Sequence, residues 1–222
     1  MKTVTLFGDS ILYGIIVKPD TLKYAKCPDY DLRQVGANFG FDLLNVSQMG
    51  RNSKEGLDEI KHYLTRHPVP DYAVIEFGGN DCDRNWADII KGHEGKVKIP
   101  KEDFIQNLTD MVSLLQSNGT SVALMNMPPV SSIPFFDWVA PTVEAKRAVQ
   151  AHLGDVEEIY TNHENYSKAI VNLSERLNIP LIDIRSPFLE NVTDYLCVDG
   201  VHPNPDGYTL IKDELAKYLK SL

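Results

Sequence analysis

Residues 4–14, VTLFGDSILYG, contain the transition that decides the fold. The apolar run Val4–Phe7 stops at Gly8-Asp9-Ser10, and helix-compatible residues follow the serine, so the pattern predicts a buried strand that delivers Ser10 to a turn. Ligands bind at the carboxyl ends of parallel strands, and a helix that begins there directs unpaired N–H groups at them. Ser10 is therefore a candidate nucleophile. The alternative is that Asp9 or Ser10 only caps a helix.

The rest of the chain alternates short apolar runs with amphipathic stretches. Four further runs predict buried parallel strands, namely Asp42–Val46, Ala73–Phe77, Ser121–Met127 and Pro180–Ile184. Helical spacing of apolar residues predicts helices at 57–64, 104–115, 166–177 and 208–222, the last with Asn204 as N-cap and Pro205 as first helical residue. The alternation predicts one α/β domain over residues 1–222, a three-layer α/β/α sandwich on a five-stranded parallel sheet.

Two segments are longer than simple connections. Residues 82–100 follow the third predicted strand, and residues 128–165, with a short helix predicted at 141–153, follow the fourth. Because both leave carboxyl ends of strands, they are candidates for the walls of a substrate pocket. Their aromatic residues are Trp86, Phe135, Phe136 and Trp138. For any one of them, packing of the insertion onto the domain is the favoured interpretation.

The amino-acid composition limits the classes of binding partner and the cellular location that we expect. The formal net charge is -9 and the pI about 5.1, which argues against nucleic acid or an anionic membrane as partner and favours a small molecule. No apolar stretch has the length of a membrane span. Cys27, Cys82 and Cys197 are odd in number and widely spaced, as expected of free thiols in a reducing compartment. With no apolar signal core ahead of the first strand, we expect a cytoplasmic protein. The oligomeric state is left open.

A base for Ser10 is found in the loop 198–204, VDGVHPN. Asp199 lies three residues before His202, so its carboxylate can accept the Nδ1 proton of the imidazole and leave Nε2 free to take a proton from Ser10. The alternative treats Asp199 as a turn former and Asn204 as a cap, and it gives His202 no role.

Acyl transfer also needs donors for an oxyanion. Gly50 follows the second predicted strand, and Asn80, in Gly78-Gly79-Asn80-Asp81, follows the third. Turn chemistry alone explains either segment taken singly. It does not explain why the candidate nucleophile, base and donors all lie at predicted strand ends or in loops.

These segments, Gly8-Asp9-Ser10, Gly50, Gly78-x-Asn80-Asp81 and Asp199-x-x-His202, occur in the order of the GDSL, or SGNH, hydrolase superfamily, which the chain resembles over essentially its whole length. The resemblance implies a flavodoxin-like sandwich. It also implies Ser10, Asp199 and His202 as catalytic residues, and the backbone N–H of Ser10, the N–H of Gly50 and the side chain of Asn80 as the oxyanion hole. Arg51-Asn52-Ser53 is less rich in glycine and hydroxyl groups than this block is in many members.

Other candidate chemistry has less support. His93-Glu94 and His163-Glu164 lack the spacing of a metal site, so we expect neither a metal nor another cofactor. Cys82 has no base nearby in sequence and is expected to pack as a small apolar residue.

The leading hypothesis is a serine esterase or acylhydrolase acting on small carboxylic esters, either short-chain acyl esters or acetylated carbohydrates. The alternatives are an acyltransferase and a catalytically silent ligand-binding domain; the substrate-binding residues are not predicted.

Overall fold

The computed structural model describes all residues, 1–222. Its strands are β1 Lys2–Gly8, β2 Ile15–Val17, β3 Tyr24–Lys26, β4 Phe41–Asn45, β5 Tyr72–Glu76, β6 Ser121–Met125 and β7 Leu181–Ile182. Its helices are α1 Ser10–Tyr13, α2 Leu32–Asn38, α3 Ser53–Arg66, α4 Gly79–Cys82, α5 Trp86–Ile90, α6 Lys101–Ser117, α7 Ser132–Val139, α8 Val143–Leu153, α9 Glu158–Leu177 and α10 Pro205–Ser221. Two short 3₁₀ helices, Ser186–Phe188 and Val192–Tyr195, lie between β7 and α10.

Five strands form one parallel sheet in the order β4-β1-β5-β6-β7, which confirms the predicted sheet. Counted within this sheet alone, the order is the flavodoxin-like 2-1-3-4-5. The connections reverse direction between β1 and β5, and ligands bind outside the strand ends at such a switch point. Gly8 and Glu76 are paired at these two strand ends. The sheet thus places the serine turn and the segment around Asn80 side by side.

The apolar core lies on both faces of the sheet. Phe7, Ile75 and Leu124 pack against α3, α6 and α9, whereas Leu6 and Val74, one residue away along their strands, pack against α2 and α10. Side chains alternate between faces along a strand, so runs that are apolar throughout have to be covered on both sides. This arrangement confirms the three-layer sandwich. No helix of the chain has both the length and the apolar content to cross a membrane.

Some strand and helix ends differ from the predictions. The fourth strand of the sheet ends at Met125 rather than Met127, and the last is reduced to Leu181–Ile182. The α9 helix begins at Glu158, so the second long segment ends before residue 165. Ile159 and His163 extend the buried face of α9 by two turns. The sequence does not predict this extension because the polar His163 interrupts the apolar spacing.

The antiparallel pair β2 and β3 was not predicted. Its strands have three residues each, and Lys18, Lys23 and Lys26 interrupt the apolar pattern. The short helix predicted at 141–153 is present as α8, capped by the Thr142 side chain. It packs with α5 around a small separate core.

Candidate active site

The serine turn joins β1 to the single-turn helix α1. Asp9 is the N-cap, since its Oδ1 accepts the N–H of Ile11 at 2.9 Å. The capping role therefore belongs to Asp9, and Ser10 is the first helical residue, whose N–H has no partner within the helix. From α10, the hydroxyl of Tyr208 donates to the carbonyl of Ile15 at 2.6 Å and approaches that of Ser10 at 3.4 Å. These contacts fix the end of α1 against the sheet.

The structure brings Ser10, His202 and Asp199 into one hydrogen-bonded chain. Nε2 of His202 lies 3.0 Å from Oγ of Ser10, and Nδ1 lies 2.6 Å from Oδ2 of Asp199. The other carboxylate oxygen of Asp199 accepts the backbone N–H groups of Val201 and His202, each at 3.1 Å. Asp199 therefore holds both the ring and the backbone of the histidine. All three side chains are buried.

The loop that carries Asp199 and His202 is closed by backbone hydrogen bonds. The N–H of Cys197 donates to the carbonyl of His202 at 2.7 Å, and that of Gly200 donates to the carbonyl of Cys197 at 2.9 Å. Ser131, just ahead of α7, donates its N–H to the carbonyl of Gly200 at 2.8 Å. Asn204 then begins α10, where its side chain accepts the N–H of Gly207 and confirms the predicted cap. The loop is thus tied at both ends.

Gly50 lies in the turn between β4 and α3. Its φ of 82° is in the left-handed region, so a side chain at this position would be strained. No intramolecular acceptor contacts its N–H, whereas the next residue, Arg51, donates to the carbonyl of Gln48. Gly50 lines the same cavity as Ser10, so its N–H is available to a ligand there.

Asn80 lies in α4, beyond the end of β5, and lines the cavity. Its amide nitrogen donates to Oδ2 of Asp9 at 3.0 Å and to the carbonyl of Arg51 at 3.1 Å. Both amide hydrogens thus have acceptors in the protein. The neighbouring Asp81 has a different role: its carboxylate accepts the N–H and the hydroxyl of Ser53, which anchors the start of α3. Burial raises the pKa of Asp81 to about 6.

A cavity of about 210 Å³ opens in front of Ser10. Both long segments contribute to its wall, the first through Trp86 and the second through Phe135 and Trp138. These three aromatic residues line the cavity, and Trp86 also packs against the small core, as the packing interpretation expected. Phe136 does pack as expected, against the small core of α5 and α8. The cavity is therefore shaped by the two segments that extend beyond the sheet.

Two cavity residues were missed in the sequence. Tyr24, from β3, packs edge-on against His202 with ring centroids 5.3 Å apart and against Trp138 at 6.1 Å. No sequence signal points to it, because its strand was not predicted. Glu76 ends β5, is completely buried and also lines the cavity. A signal for this residue did exist, namely an acid inside the apolar run Ala73–Phe77.

The remaining candidates take no part in the hydrogen-bonded chain of Ser10, His202 and Asp199. Cys82 packs in the core beside α6 and α9, and burial raises the pKa of its thiol well above the ordinary value, which disfavours a reactive thiolate. All three cysteines are unpaired. His163 lines the cavity, and His62 and His67 are exposed. No group of three or more His, Cys, Asp or Glu side chains has the geometry to hold a metal ion.

Comparisons with known proteins identify the family of the chain. The model of the GDSL-like Lipase/Acylhydrolase family matches residues 6–210. The isoamyl acetate-hydrolyzing esterase of Saccharomyces cerevisiae is 24% identical over 186 residues, which cover 81% of this chain and 69% of the yeast protein. The crystal structure of a lipase/acylhydrolase from Enterococcus faecalis superposes with a TM-score of 0.69 at 22% identity, covering 100% of this chain and 96% of that one. Est24, a carbohydrate acetylesterase from Sinorhizobium meliloti, has a TM-score of 0.69 at 14% identity, covering 100% of this chain and 99% of its own.

The family match spans nearly the whole chain and includes every segment that contributes to the cavity and to the Ser10–His202–Asp199 contacts. The chain belongs to the GDSL-like lipase/acylhydrolase family, and it is a hydrolase of ester bonds.

Proposed function

We propose that the protein is a serine esterase that cleaves small carboxylic esters through an acyl-enzyme intermediate. The observation that carries the proposal is the contact of His202 with Ser10 at 3.0 Å, with the imidazole oriented by Asp199 at 2.6 Å. His202 takes the hydroxyl proton as the Ser10 oxygen forms a bond to the ester carbonyl carbon. The imidazolium that results is stabilised by the Asp199 carboxylate, and it returns the proton to the leaving alcohol.

In the second step, His202 takes a proton from water as the water oxygen attacks the acyl-Ser10 ester. The bond between the acyl carbon and Oγ of Ser10 then breaks, His202 returns the proton to Oγ, and the carboxylic acid is released. The negative charge on the carbonyl oxygen is held in both steps by the N–H groups of Ser10 and Gly50 and by the amide of Asn80. The first two donors have no competing acceptor in the turn or helix to which they belong. Asn80 has to turn one hydrogen from the Arg51 carbonyl toward the oxyanion, a rearrangement that fits the loose hydrogen bonding common in unliganded active sites.

The Asn80→Ala variant is expected to lose about 3 kcal/mol of transition-state stabilisation, a loss of about 10²–10³-fold in kcat, because one oxyanion donor is removed. KM changes little, since the charge on the oxygen develops only in the transition state. Steady-state hydrolysis of p-nitrophenyl acetate measures both constants. The control is Asn172→Ala, on the exposed face of α9. Full kcat in Asn80→Ala would rule out the oxyanion role of this side chain.

The substrate that we propose is a short-chain ester. A cavity of about 210 Å³ is small beside the roughly 300–1,000 Å³ of pockets that enclose drug-sized ligands, so a long acyl chain does not fit inside it. Four aromatic rings line it, those of Tyr24, Trp86, Phe135 and Trp138. Such rings suit an apolar alcohol, as in the isoamyl acetate cleaved by the yeast relative, and also the face of an acetylated sugar.

A panel of p-nitrophenyl acetate, butyrate and octanoate, assayed beside acetylated xylose, tests this proposal. We expect kcat/KM to be highest for acetate or butyrate and to fall by at least about tenfold for octanoate, because the added methylenes find no pocket. A preference for octanoate would contradict the short-chain specificity. If all four esters were inert toward an enzyme whose Ser10 is intact, the esterase proposal itself would fail.

The same panel addresses the two alternatives from the sequence. A silent binding domain has no need of a serine hydroxyl in contact with an oriented imidazole, so the 3.0 Å contact favours an enzyme. An acyltransferase uses an acceptor alcohol in place of water in the second step. Products formed with added methanol or xylose separate the two activities, and we expect free carboxylic acid as the main product.

A further inference from the structure

Glu76 lies directly behind the serine turn. It ends β5 beside Gly8 of β1, has no exposed surface, and its Oε2 accepts the N–H of Asp9 at 3.4 Å. A Cβ atom on Gly8 would lie 3.0 Å from this oxygen and 2.9 Å from the Glu76 carbonyl, closer than such atoms normally approach. The glycine of the serine turn therefore makes room for the carboxyl group of the neighbouring strand.

Asp9 is 1% exposed, and each of its carboxylate oxygens has a donor: the N–H of Ile11 for Oδ1 and the amide of Asn80 for Oδ2. Neither Asp9 nor Glu76 forms an ion pair with a lysine or arginine. Two buried carboxyl groups this close together on neighbouring strands cannot both stay ionised without a cation, so the pair retains a proton.

The surroundings decide which partner carries this proton. The donors on Asp9 stabilise its negative charge, whereas Oε1 of Glu76 has no hydrogen-bond partner. Burial, followed by the charge of Asp9, raises the pKa of Glu76 well above its ordinary value, against the smaller opposing effect of the backbone N–H groups of Asp9 and Leu12. Burial also raises the pKa of Asp9, but its bond from Ile11, the nearby His202 and the hydrogen bond from Glu76 oppose that rise. The other titratable groups near the pair bring no positive charge; they are Tyr30, Asp81, Cys82 and Tyr208.

We propose that Glu76 is a positioning residue of the active site: it stays un-ionised at neutral pH and donates its carboxyl hydrogen to the Asp9 carboxylate. Asp9 in turn holds the start of α1, where Ser10 lies, and the amide of Asn80. A carboxyl group behind the serine turn thus orients the nucleophile and one oxyanion donor together through Asp9. The catalytic part of this inference rests on the proposed esterase function, whereas the protonation state of Glu76 does not.

Three variants separate this role from simple packing. Glu76→Gln keeps the shape and an N–H donor toward Asp9, so we expect kcat for p-nitrophenyl acetate within about threefold of the wild type. Glu76→Ala removes the donor, and kcat is expected to fall by roughly 30- to 100-fold with a smaller change in KM. Asp9→Asn turns a second amide donor toward Asn80, so its kcat is expected to fall at least as far. An active Asp9→Asn enzyme beside an inactive Glu76→Gln enzyme would overturn the assignment, because Asp9 would then carry the proton.

Infrared spectroscopy detects an un-ionised carboxyl group directly. It uses the wild type and Glu76→Gln, so it does not depend on whether Glu76→Ala folds. At neutral pH the wild type is expected to show the carbonyl stretch of an un-ionised carboxylic acid, and Glu76→Gln to lack it. Absence of this band in the wild type, or its persistence in Glu76→Gln, would overturn the inference. Wild-type hydrolysis is measured in parallel: an inactive wild type that shows the band contradicts the esterase function, and an active wild type without the band contradicts the role of Glu76.

Discussion

The Ser10→Ala variant is expected to lose ester hydrolysis by a factor on the order of 10⁶ in kcat, while its fold stays intact. The methyl group offers no oxygen for attack on the ester, and His202 then has no hydroxyl to deprotonate. Loss of His202 is expected to cost nearly as much, because serine oxygen without a base is a poor nucleophile. Because the two residues act as one unit, the double variant is expected to be no slower than Ser10→Ala alone.

Steady-state hydrolysis of p-nitrophenyl acetate is measured for the wild type, the Ser10 variant, the His202 variant and the double variant. Circular dichroism and thermal unfolding establish that each enzyme is folded. Ser113→Ala, on the exposed face of α6, is the matched control for a serine substitution and is expected to keep full activity. Residual hydrolysis by Ser10→Ala within about tenfold of the wild type would show that another group carries the reaction.

The second large effect concerns stability in acid. His163 is 9% exposed, its Nδ1 has no hydrogen-bond partner, and burial, followed by the positive charge of Arg185, lowers its pKa from 6.5 to about 3. In the unfolded chain this histidine takes up a proton below about pH 6.5, whereas in the folded chain it stays neutral down to about pH 3. The unfolded state thus binds more protons in this window, and the free energy of unfolding falls as the pH falls. The full loss from this one group is about 5 kcal/mol.

The His163→Gln variant, neutral at every pH, is expected to remove this contribution. Urea unfolding at about pH 7.5 and about pH 4.5 measures it: the wild type is expected to lose about 3 kcal/mol more between the two conditions than the variant does. His62→Gln, at an exposed position on α3, is the matched control and is expected to behave as the wild type. Equal acid sensitivity of His163→Gln and the wild type would mean that His163 is not held neutral in the folded protein.

Much of the sheet could be predicted from the sequence because its strands are buried on both faces. The run Val4–Phe7 and its counterparts are mostly apolar, and in a chain of this size such short runs are typical of strands covered on both faces of a sheet. The hairpin β2–β3 has strands of only three residues, and three lysines break its apolar pattern although Ile15 and Val17 are buried, so the local sequence does not predict it. The first two turns of α9 were missed for a related reason, since His163 lies in the buried stripe.

The candidate active site was predictable to the extent that its groups follow strand ends. Ser10 and Asn80 come within a few residues of the ends of β1 and β5. Asp199 lies three residues before His202, so their pairing can be recognised from the local sequence. Contacts between distant segments were not predictable. Tyr24 against His202 and Glu76 behind Asp9 depend on how neighbouring elements pack, which no local pattern records. The cytoplasmic location and the absence of nucleic-acid partners stay predictions from composition.

The central claim is that Ser10 is the nucleophile, and covalent trapping tests it most directly. The enzyme is incubated with a fluorophosphonate, and the site of modification is located by mass spectrometry of the intact chain and of its peptides. We expect one phosphonyl adduct, on the peptide that contains Ser10, with loss of hydrolysis in proportion to labelling and no adduct in Ser10→Ala or in the unfolded protein. An active enzyme that resists the reagent, or an adduct on another residue that appears as activity is lost, would contradict the account.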